Sequence, residues 1–340
     1  MGVLKKAFPP KEQRCYTERK SVVREMKIDQ VEMVSVEQLV PEKHTYRSLK
    51  ALLDFDRIAK SVEVKTSELG AIGFGKVRLM MCLILQFMED LSDREFERFI
   101  AENNAGKWFC GFGLLEKTPD FTTICKFRNA IGTSQMGRLF QEVKRQMQAK
   151  NCCSDVFTFV DSCALISKLD LWDERDKAIT AGYEKLNNMV LPKVSADPEA
   201  KIGAKSKKKF WYGFKKHVAV DMQSGMITKV AVTPANVTDA DGVRHVLPKS
   251  GAVAGDKGYV GAIREMLRRG LHPMVIKRKN MKDKNADLDR WITKLRCPYE
   301  RTFSKQNKRV RYKGVVKNQG AEFMYAIAYN FRRLLALNPA

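Results

Sequence analysis

The sequence predicts an α/β protein with helices in its first half and a mixed β-sheet in its second half. Three observations lead to this prediction. Apolar residues recur at helical spacing from residue 46 to about 148, short apolar strands follow residue 156, and the later strands alternate with helical segments. At 340 residues the chain is long enough for two domains. We expect an N-terminal arm over residues 1–45, a helical domain over 46–150 and a sheet domain over 151–340.

Two helix starts are well marked in the helical half. Residues 92–95 (Ser-Asp-Arg-Glu) form a capping box ahead of Phe96 and Phe99. Residues 118–128 (Thr-Pro-Asp-Phe-Thr-Thr-Ile-Cys-Lys-Phe-Arg) predict a turn followed by a helix that carries two basic side chains. This half either reads DNA or serves as a scaffold for the sheet, and its small net charge favours neither role.

The second half begins with three short strands and continues as alternating helices and strands. A turn signal at Gln223, Ser224 and Gly225 joins the second and third strands as a hairpin. The predicted strands cover residues 156–163, 212–221, 226–233, 251–255 and 273–276, and the predicted helices cover 238–247 and 260–269. A meander followed by α/β alternation is the order of a ribonuclease H-like fold, whose mixed sheet brings acidic residues to one edge.

Positive charge is concentrated in the second half of the chain. The formal net charge is +23, and residues 201–340 carry 31 basic against 10 acidic residues, whereas residues 1–200 carry 31 against 29. With 44% hydrophobic residues, this pattern indicates a folded polyanion binder and predicts nucleic acid as the partner. The alternative is a surface that only aids solubility. The polar stretch at about 167–211, with lysines near its end, is predicted to be a basic loop that orders on DNA or else a solvated linker.

The cysteines and the apolar stretches exclude other classes of protein. The eight cysteines include no pair at zinc-ligand spacing, so we expect reduced thiols and no zinc module. No signal segment opens the chain, and the longest apolar stretch, residues 79–85, is too short to span a bilayer. The sequence therefore predicts a cytosolic protein with no membrane partner.

Three acidic residues stand in settings that suit metal-dependent chemistry on a phosphodiester. Asp161 closes an apolar run, Asp256 follows a predicted buried strand, and Glu300 precedes a dense run of basic residues. Carboxylates from separate elements can hold a pair of Mg²⁺ ions. After Asp256 the only other glutamates are Glu265 and Glu322, which fall in ordinary predicted helices. The alternative for Asp161 is an exposed residue at a strand end.

Several fragments of the chain, in order, resemble the DDE transposases of bacterial insertion sequences, specifically the insertion-sequence-five type. The resemblance covers nearly the whole length. The fragments that carry it lie at residues 39–47, 91–95, 119–128, 160–161, 213–217, 233–239, 255–259, 300–303 and 310–314. It implies that Asp161, Asp256 and Glu300 are the catalytic and metal-binding triad.

The resemblance also implies a reaction and its partners. The enzyme would use two Mg²⁺ ions, with Mn²⁺ as a substitute, to cut double-stranded DNA at the inverted repeats of its element and join the ends to target DNA. It would act as a homodimer on DNA, in association with the bacterial nucleoid. Two alternatives remain open, an inactive transposase-derived DNA-binding protein and a structure-specific nuclease on the same fold.

Basic residues near the predicted site are expected to contact DNA phosphates. They are Lys207, Lys208, Lys209, Lys215, Lys216, Arg296, Arg301, Lys305, Lys308, Arg309, Arg311 and Lys313. The resembled family often shows Tyr, Arg, Glu and Lys along its last catalytic helix. Arg296 matches that pattern, whereas Thr293 and Asn307 stand at the tyrosine and lysine positions. Pro298 predicts that this helix begins there, which would leave Arg296 outside it.

Asn236, Asp239 and the histidines of the second half are weaker candidates. Asn236 and Asp239 follow the third predicted strand and would either shape the rim of the site or form a plain turn, with Asp239 helping to cap the next helix. His217, His245 and His272 are scattered, and none accompanies a nucleophile motif. We therefore interpret the three histidines as structural or surface residues.

Overall fold

Seven helices precede the first strand within the described part of the chain. The computed structural model describes residues 33–64, 73–167, 195–206, 209–281, 284–304 and 308–338. The helices are α1 Val36–Leu39, α2 Thr45–Leu52, α3 Phe55–Lys60, α4 Lys76–Met88, α5 Asp93–Glu102, α6 Asn104–Cys110 and α7 Phe121–Ala149. The predicted order of helices before strands is therefore confirmed.

The two marked helix starts form as the sequence predicts. At the start of α5, Ser92 Oγ accepts a hydrogen bond from the Glu95 N–H, and the Glu95 carboxylate accepts one from the Ser92 N–H at 2.8 Å. Helix α7 begins after Asp120, whose carboxylate accepts from the Thr123 N–H at 2.7 Å. The course of α7 is interrupted at Gly132, where a φ of +69° suits a residue without a Cβ.

The second half contains a mixed six-stranded sheet. Its strands are β1 Phe157–Ile166, β2 Lys201–Ser206, β3 Lys209–Asp221, β4 Ile227–Pro234, β5 Ala252–Gly255 and β6 His272–Val275. The long strand β3 pairs antiparallel with β1 along one edge, and with β2 and then β4 along the other. Strands β1, β5 and β6 run parallel to one another. The predicted α/β class with a mixed sheet is confirmed.

Short helices connect the parallel strands, and two longer helices follow the sheet. They are α8 Asp239–Gly242, α9 Ile263–Arg268, α10 Ala286–Ser304 and α11 Val315–Leu337, with 3-10 turns at Val243–His245 and Lys257–Ala262. No helix in the described ranges is both long and apolar enough to cross a membrane.

Apolar residues cover both faces of the sheet. The larger core joins one sheet face, including Phe159 and Val218, to the helices of the first half and to α11. The opposite face packs a smaller cluster that includes Val160, Val243 and Tyr259. Helix α11 contacts α4, α7 and β4, so it lies between the helical region and the sheet.

The structure corrects two boundaries predicted from the sequence. Part of the predicted basic loop at 167–211 is the hairpin of β2 and the start of β3, while residues 168–194 of that loop lie outside the described residues. Helix α10 begins at Ala286 rather than at Pro298, so Arg296 lies inside it. Pro298 has no backbone N–H to donate within the helix, and α10 is held by its contacts with β1, β5 and β6.

Candidate active site

Asp161 lies on β1, and Asp256 directly follows the adjacent parallel strand β5. Phe157 lies opposite Ala252 and Phe159 opposite Ala254, and this register continued by two residues places Asp161 opposite Asp256. Strand β1 continues to Ile166, so Asp161 lies within the strand and the alternative of an exposed residue at a strand end is wrong; β5, however, ends at Gly255. Asp256 is therefore the first residue after the end of β5 and lies next to Asp161.

Backbone hydrogen bonds hold both carboxylates in place. Asp161 Oδ1 accepts from the Ser162 N–H at 2.8 Å, and Asp256 Oδ1 accepts from the Gly258 N–H at 2.8 Å as the cap of the following 3-10 turn. Burial raises the pKa of the Asp161 carboxyl to about 6. The Ser162 N–H opposes this shift, and the negative charge of Asp256 adds to it.

Glu300 lies on α10, which packs against the same strands. This helix contacts β1, β5 and β6. One turn before Glu300, the Arg296 guanidinium lies 5.2 Å from the centre of the Phe159 ring, two residues before Asp161 on β1. Residues four apart share a helix face, so position 300 lies on the face of α10 that Arg296 uses. The side chain of Glu300 lies outside the described residues.

A third aspartate, Asp239, lies next to the pair. Its Oδ1 accepts a hydrogen bond from Ser162 Oγ at 2.7 Å and lies 3.0 Å from Lys215 Nζ. The cap of α8 is Thr238, whose hydroxyl accepts from the Asp241 N–H at 3.2 Å, so the predicted capping role of Asp239 is wrong. Asn236 is exposed.

Tyr259 is buried among these acidic residues. It is 1% exposed, and its hydroxyl has no hydrogen-bond partner in the described part of the chain. Burial raises the pKa of Tyr259, and the negative charges of Asp161, Asp239 and Asp256 add to this effect. The Ser162 hydroxyl, which donates to Asp239, lies close enough to oppose the shift, although its geometry relative to the Tyr259 hydroxyl falls short of a hydrogen bond.

The histidines occupy structural or surface positions. His217 is 1% exposed and its Nε2 lies 2.9 Å from Thr233 Oγ1, whereas His245 and His272 are exposed. The ring of His217 packs so closely on Gly242 that a Cβ there would lie 2.0 Å from it. Burial lowers the pKa of His217 to about 4, so the imidazole is neutral at pH 7.

We expect stability to fall between pH 7 and pH 5 because of His217. Its pKa rises from about 4 in the folded chain to the ordinary 6.5 on unfolding, so the unfolded state binds more protons in this window. The loss is about 2 kcal/mol of unfolding free energy. Urea titrations of the wild type and of His217→Gln at both pH values isolate the effect. An equal pH dependence of the two proteins would contradict the prediction.

Two of the basic residues predicted to contact DNA lie in the interior on β3. Lys216 is 2% exposed, and its Nζ lies 2.8 Å from the buried Glu322 carboxylate on α11. Lys215 is 8% exposed and is held by Asp239 and by the carbonyl of Val237. Neither ammonium group faces solvent, because adjacent residues of a strand point into opposite packed layers. The prediction that they contact phosphates is corrected accordingly.

Arg296 and Arg311 are also engaged within the protein. Arg296 is 9% exposed and lies over Phe159, as described above. Arg311 donates to the carbonyl of Leu91 and lies 4.9 Å from the centre of the Phe87 ring. These contacts tie α10 to the sheet and the segment after it to the helical region, while the DNA contacts of the two arginines stay predictions.

The structure describes only some of the remaining basic candidates. Lys308, Arg309 and Lys313 are exposed on the segment after α10. Residues 308–310 run beside the end of β1, with the Ile166 N–H donating to the Lys308 carbonyl at 2.7 Å. The predicted contacts that lie outside the described residues are Lys207, Lys208 and Lys305 entirely, and Lys209 and Arg301 in their side chains.

The described residues contain no preformed group of three His, Cys, Asp or Glu side chains for a metal ion. Asp161, Asp239 and Asp256 are close enough to influence one another electrostatically. A complete ligand set therefore requires Glu300 or a rotation of the aspartate side chains. Oxygen ligands of this kind suit hard divalent cations such as Mg²⁺.

Two family matches cover well over half of the chain. Residues 34–130 match a transposase domain family (DUF772), and residues 189–331 match the transposase DDE domain. Asp256 and Glu300 lie inside the second match, and Asp161 lies between the two. A cryo-EM structure of the piggyBac transposase synaptic complex with hairpin DNA is similar at 9% identity and a TM-score of 0.43, over 91% of this chain and 78% of that chain.

Proposed function

We propose that the chain is a DDE transposase and that it moves a bacterial insertion sequence of the insertion-sequence-five type, a proposal that the two transposase domain matches support. It binds the inverted repeats at the ends of its element, cuts the strands there and joins them to target DNA. It works as a homodimer on DNA at the bacterial nucleoid, because two element ends have to be joined in one reaction. We further propose that its sheet domain has a ribonuclease H-like fold, which the parallel order of β1, β5 and β6 supports.

The observation that carries this proposal is the pairing of Asp161 with Asp256. Burial and mutual repulsion make the two carboxylates costly in the absence of a counter-charge. The unsatisfied Tyr259 hydroxyl beside them is a further polar group that the protein alone leaves without a partner. Both features fit a site for divalent cations.

In this proposal Asp161, Asp256 and Glu300 hold two Mg²⁺ ions. Bound there, the ions would lower the pKa of the attacking water or 3′-hydroxyl and stabilise the leaving oxygen. The Ser162 and Gly258 N–H groups keep the two aspartates oriented. Arg296 fixes α10 on β1, and the exposed basic residues after α10 bind the phosphate backbone.

The test is an assay with labelled DNA carrying the flanking inverted repeats and a target plasmid. We expect cleavage at the repeat ends and joined products with Mg²⁺ or Mn²⁺, and neither product in excess EDTA, because clustered carboxylates need cations to act on a phosphodiester. The matched control is a labelled DNA with unrelated ends, which should be neither cut nor joined.

The outcomes separate the alternatives. Cutting without joining favours a structure-specific nuclease, and repeat binding without cutting favours an inactive DNA-binding protein. Full activity in EDTA contradicts the metal-dependent reaction.

A further inference from the structure

One oxygen of the Asp239 carboxylate, Oδ1, is held by two neighbouring side chains. Its Oδ1 takes the hydrogen bond from Ser162 Oγ at 2.7 Å and the contact with Lys215 Nζ at 3.0 Å. Lys215 is itself held by the Val237 carbonyl at 2.8 Å. Since Thr238 caps α8, the helix start does not need the Asp239 side chain.

The second oxygen of Asp239 and one oxygen of Asp256 both lie close to Gly258. A Cβ on Gly258 would lie 2.9 Å from Asp256 Oδ1 and 3.1 Å from Asp239 Oδ2. Two carboxylate oxygens from separate segments therefore face the same point, which only a residue without a side chain leaves open. Like charges brought together in this way repel each other unless a cation lies between or beside them.

The Tyr259 hydroxyl is independent evidence for a ligand at this place. It is almost fully buried, has no hydrogen-bond partner among the described residues, and lies in the field of the three aspartates. A buried hydroxyl without a partner is costly, and such groups are rare unless a ligand or water completes them. The hydroxyl is close enough to both carboxylates to interact with them electrostatically.

We propose that Asp239 is a fourth acidic residue of the cation site, and that the Tyr259 hydroxyl gains its hydrogen-bond partner when the cation is bound. This inference rests on the proposed function, since it extends the site formed by Asp161, Asp256 and Glu300. Lys215 and Ser162 act as positioning residues that turn Oδ2 of Asp239 toward the cation. Oxygen ligands from several segments are typical of divalent cation sites.

The test measures binding of Mn²⁺ to the full chain without DNA, by calorimetry or by the electron paramagnetic resonance of free Mn²⁺. Asp239→Asn should weaken binding by about tenfold or more. The matched control is Asp241→Asn, because Asp241 lies on the same helix but its side chain is 55% exposed and pairs with Arg244. We expect the control to bind Mn²⁺ like the wild type.

A second variant separates the cation site from a structural role. Tyr259→Phe removes only an oxygen that has no partner, so the melting temperature of the metal-free protein should stay equal or rise. The increase in melting temperature that Mn²⁺ causes should be smaller than in the wild type. A lower melting temperature without metal, together with an unchanged Mn²⁺ effect, would overturn the role of Tyr259.

The outcomes of the Mn²⁺-binding experiment distinguish a failure of this inference from a failure of the proposed function. If Asp256→Asn loses Mn²⁺ binding while Asp239→Asn keeps the wild-type affinity, Asp239 is not part of the site and the proposed function is untouched. If the wild type binds no Mn²⁺, the metal-dependent function and this inference both fail.

Discussion

Replacement of Glu300 by glutamine is expected to reduce strand cleavage at the repeat ends at least about a thousandfold, or about 4 kcal/mol of activation free energy. Glutamine keeps the shape of the side chain but removes the negative charge that would hold a cation. Glu300 lies on α10 one turn after Arg296, which ties the helix to β1 beside Asp161. Repeat binding should remain, and cleavage rates and gel-shift affinities measured on the same preparations check both statements.

The matched control for this prediction is Glu265→Gln. Glu265 lies on α9, where its carboxylate pairs with Arg268 and Arg269 of the same helix at 2.5 and 2.7 Å. We expect nearly wild-type cleavage from this variant. Asp161→Asn and Asp256→Asn should resemble Glu300→Gln, and the losses should not add, because the three residues act as one unit. Loss of cleavage in Glu265→Gln with activity retained in Glu300→Gln would refute the assignment.

Replacement of Glu322 by glutamine is expected to lower the free energy of unfolding by about 3–5 kcal/mol. Glu322 on α11 and Lys216 on β3 form an ion pair whose side chains are 6% and 2% exposed, with an Nζ to Oε2 distance of 2.8 Å. The substitution leaves the Lys216 ammonium buried without its counter-charge. Chemical denaturation of the full chain at pH 7 measures the loss.

Two further variants give this prediction a sharp control. Asp287→Asn breaks a pair with Arg290 in which both side chains are largely exposed, and it should change stability by less than about 1 kcal/mol. The double variant Lys216→Met/Glu322→Leu removes both charges and should recover most of the loss. If Glu322→Gln is as stable as the wild type, the buried pair does not contribute as the structure indicates.

The sequence predicts most of the fold because most of its signals are local. The capping box at Ser92 and the turn at Gln223–Gly225 depend on residues within a few positions, and both form as expected. Strand β2 escaped prediction because it is a short edge strand, held by pairing with β3 rather than by apolar residues of its own. The extent of α10 escaped it because the contacts with the sheet override a proline.

The candidate site also contains residues that local sequence signals indicate and residues that they do not. The closeness of Asp161 and Asp256 could be predicted because each follows a run of apolar residues, and the pairing of β1 with β5 brings the two positions together. The place of Asp239 depends on Ser162 and Lys215, which lie far away in the sequence. Lys216 carried the same charge signal as an exposed lysine, and only its distant partner Glu322 shows that it is structural. Charge composition alone could not distinguish a buried, ion-paired lysine from an exposed one.

The position of Glu322 on α11 also determines the order in which a newly made chain can fold. The ribosome completes Lys216 and its strand long before it reaches α11, so that lysine lacks the charge of Glu322 until α11 has been made. Contacts between residues so distant in sequence form late. A chain that stops before residue 315 lacks both Glu322 and the helix that covers β4. We expect such fragments to expose that sheet face and to be recognised by chaperones or proteases rather than to act on DNA.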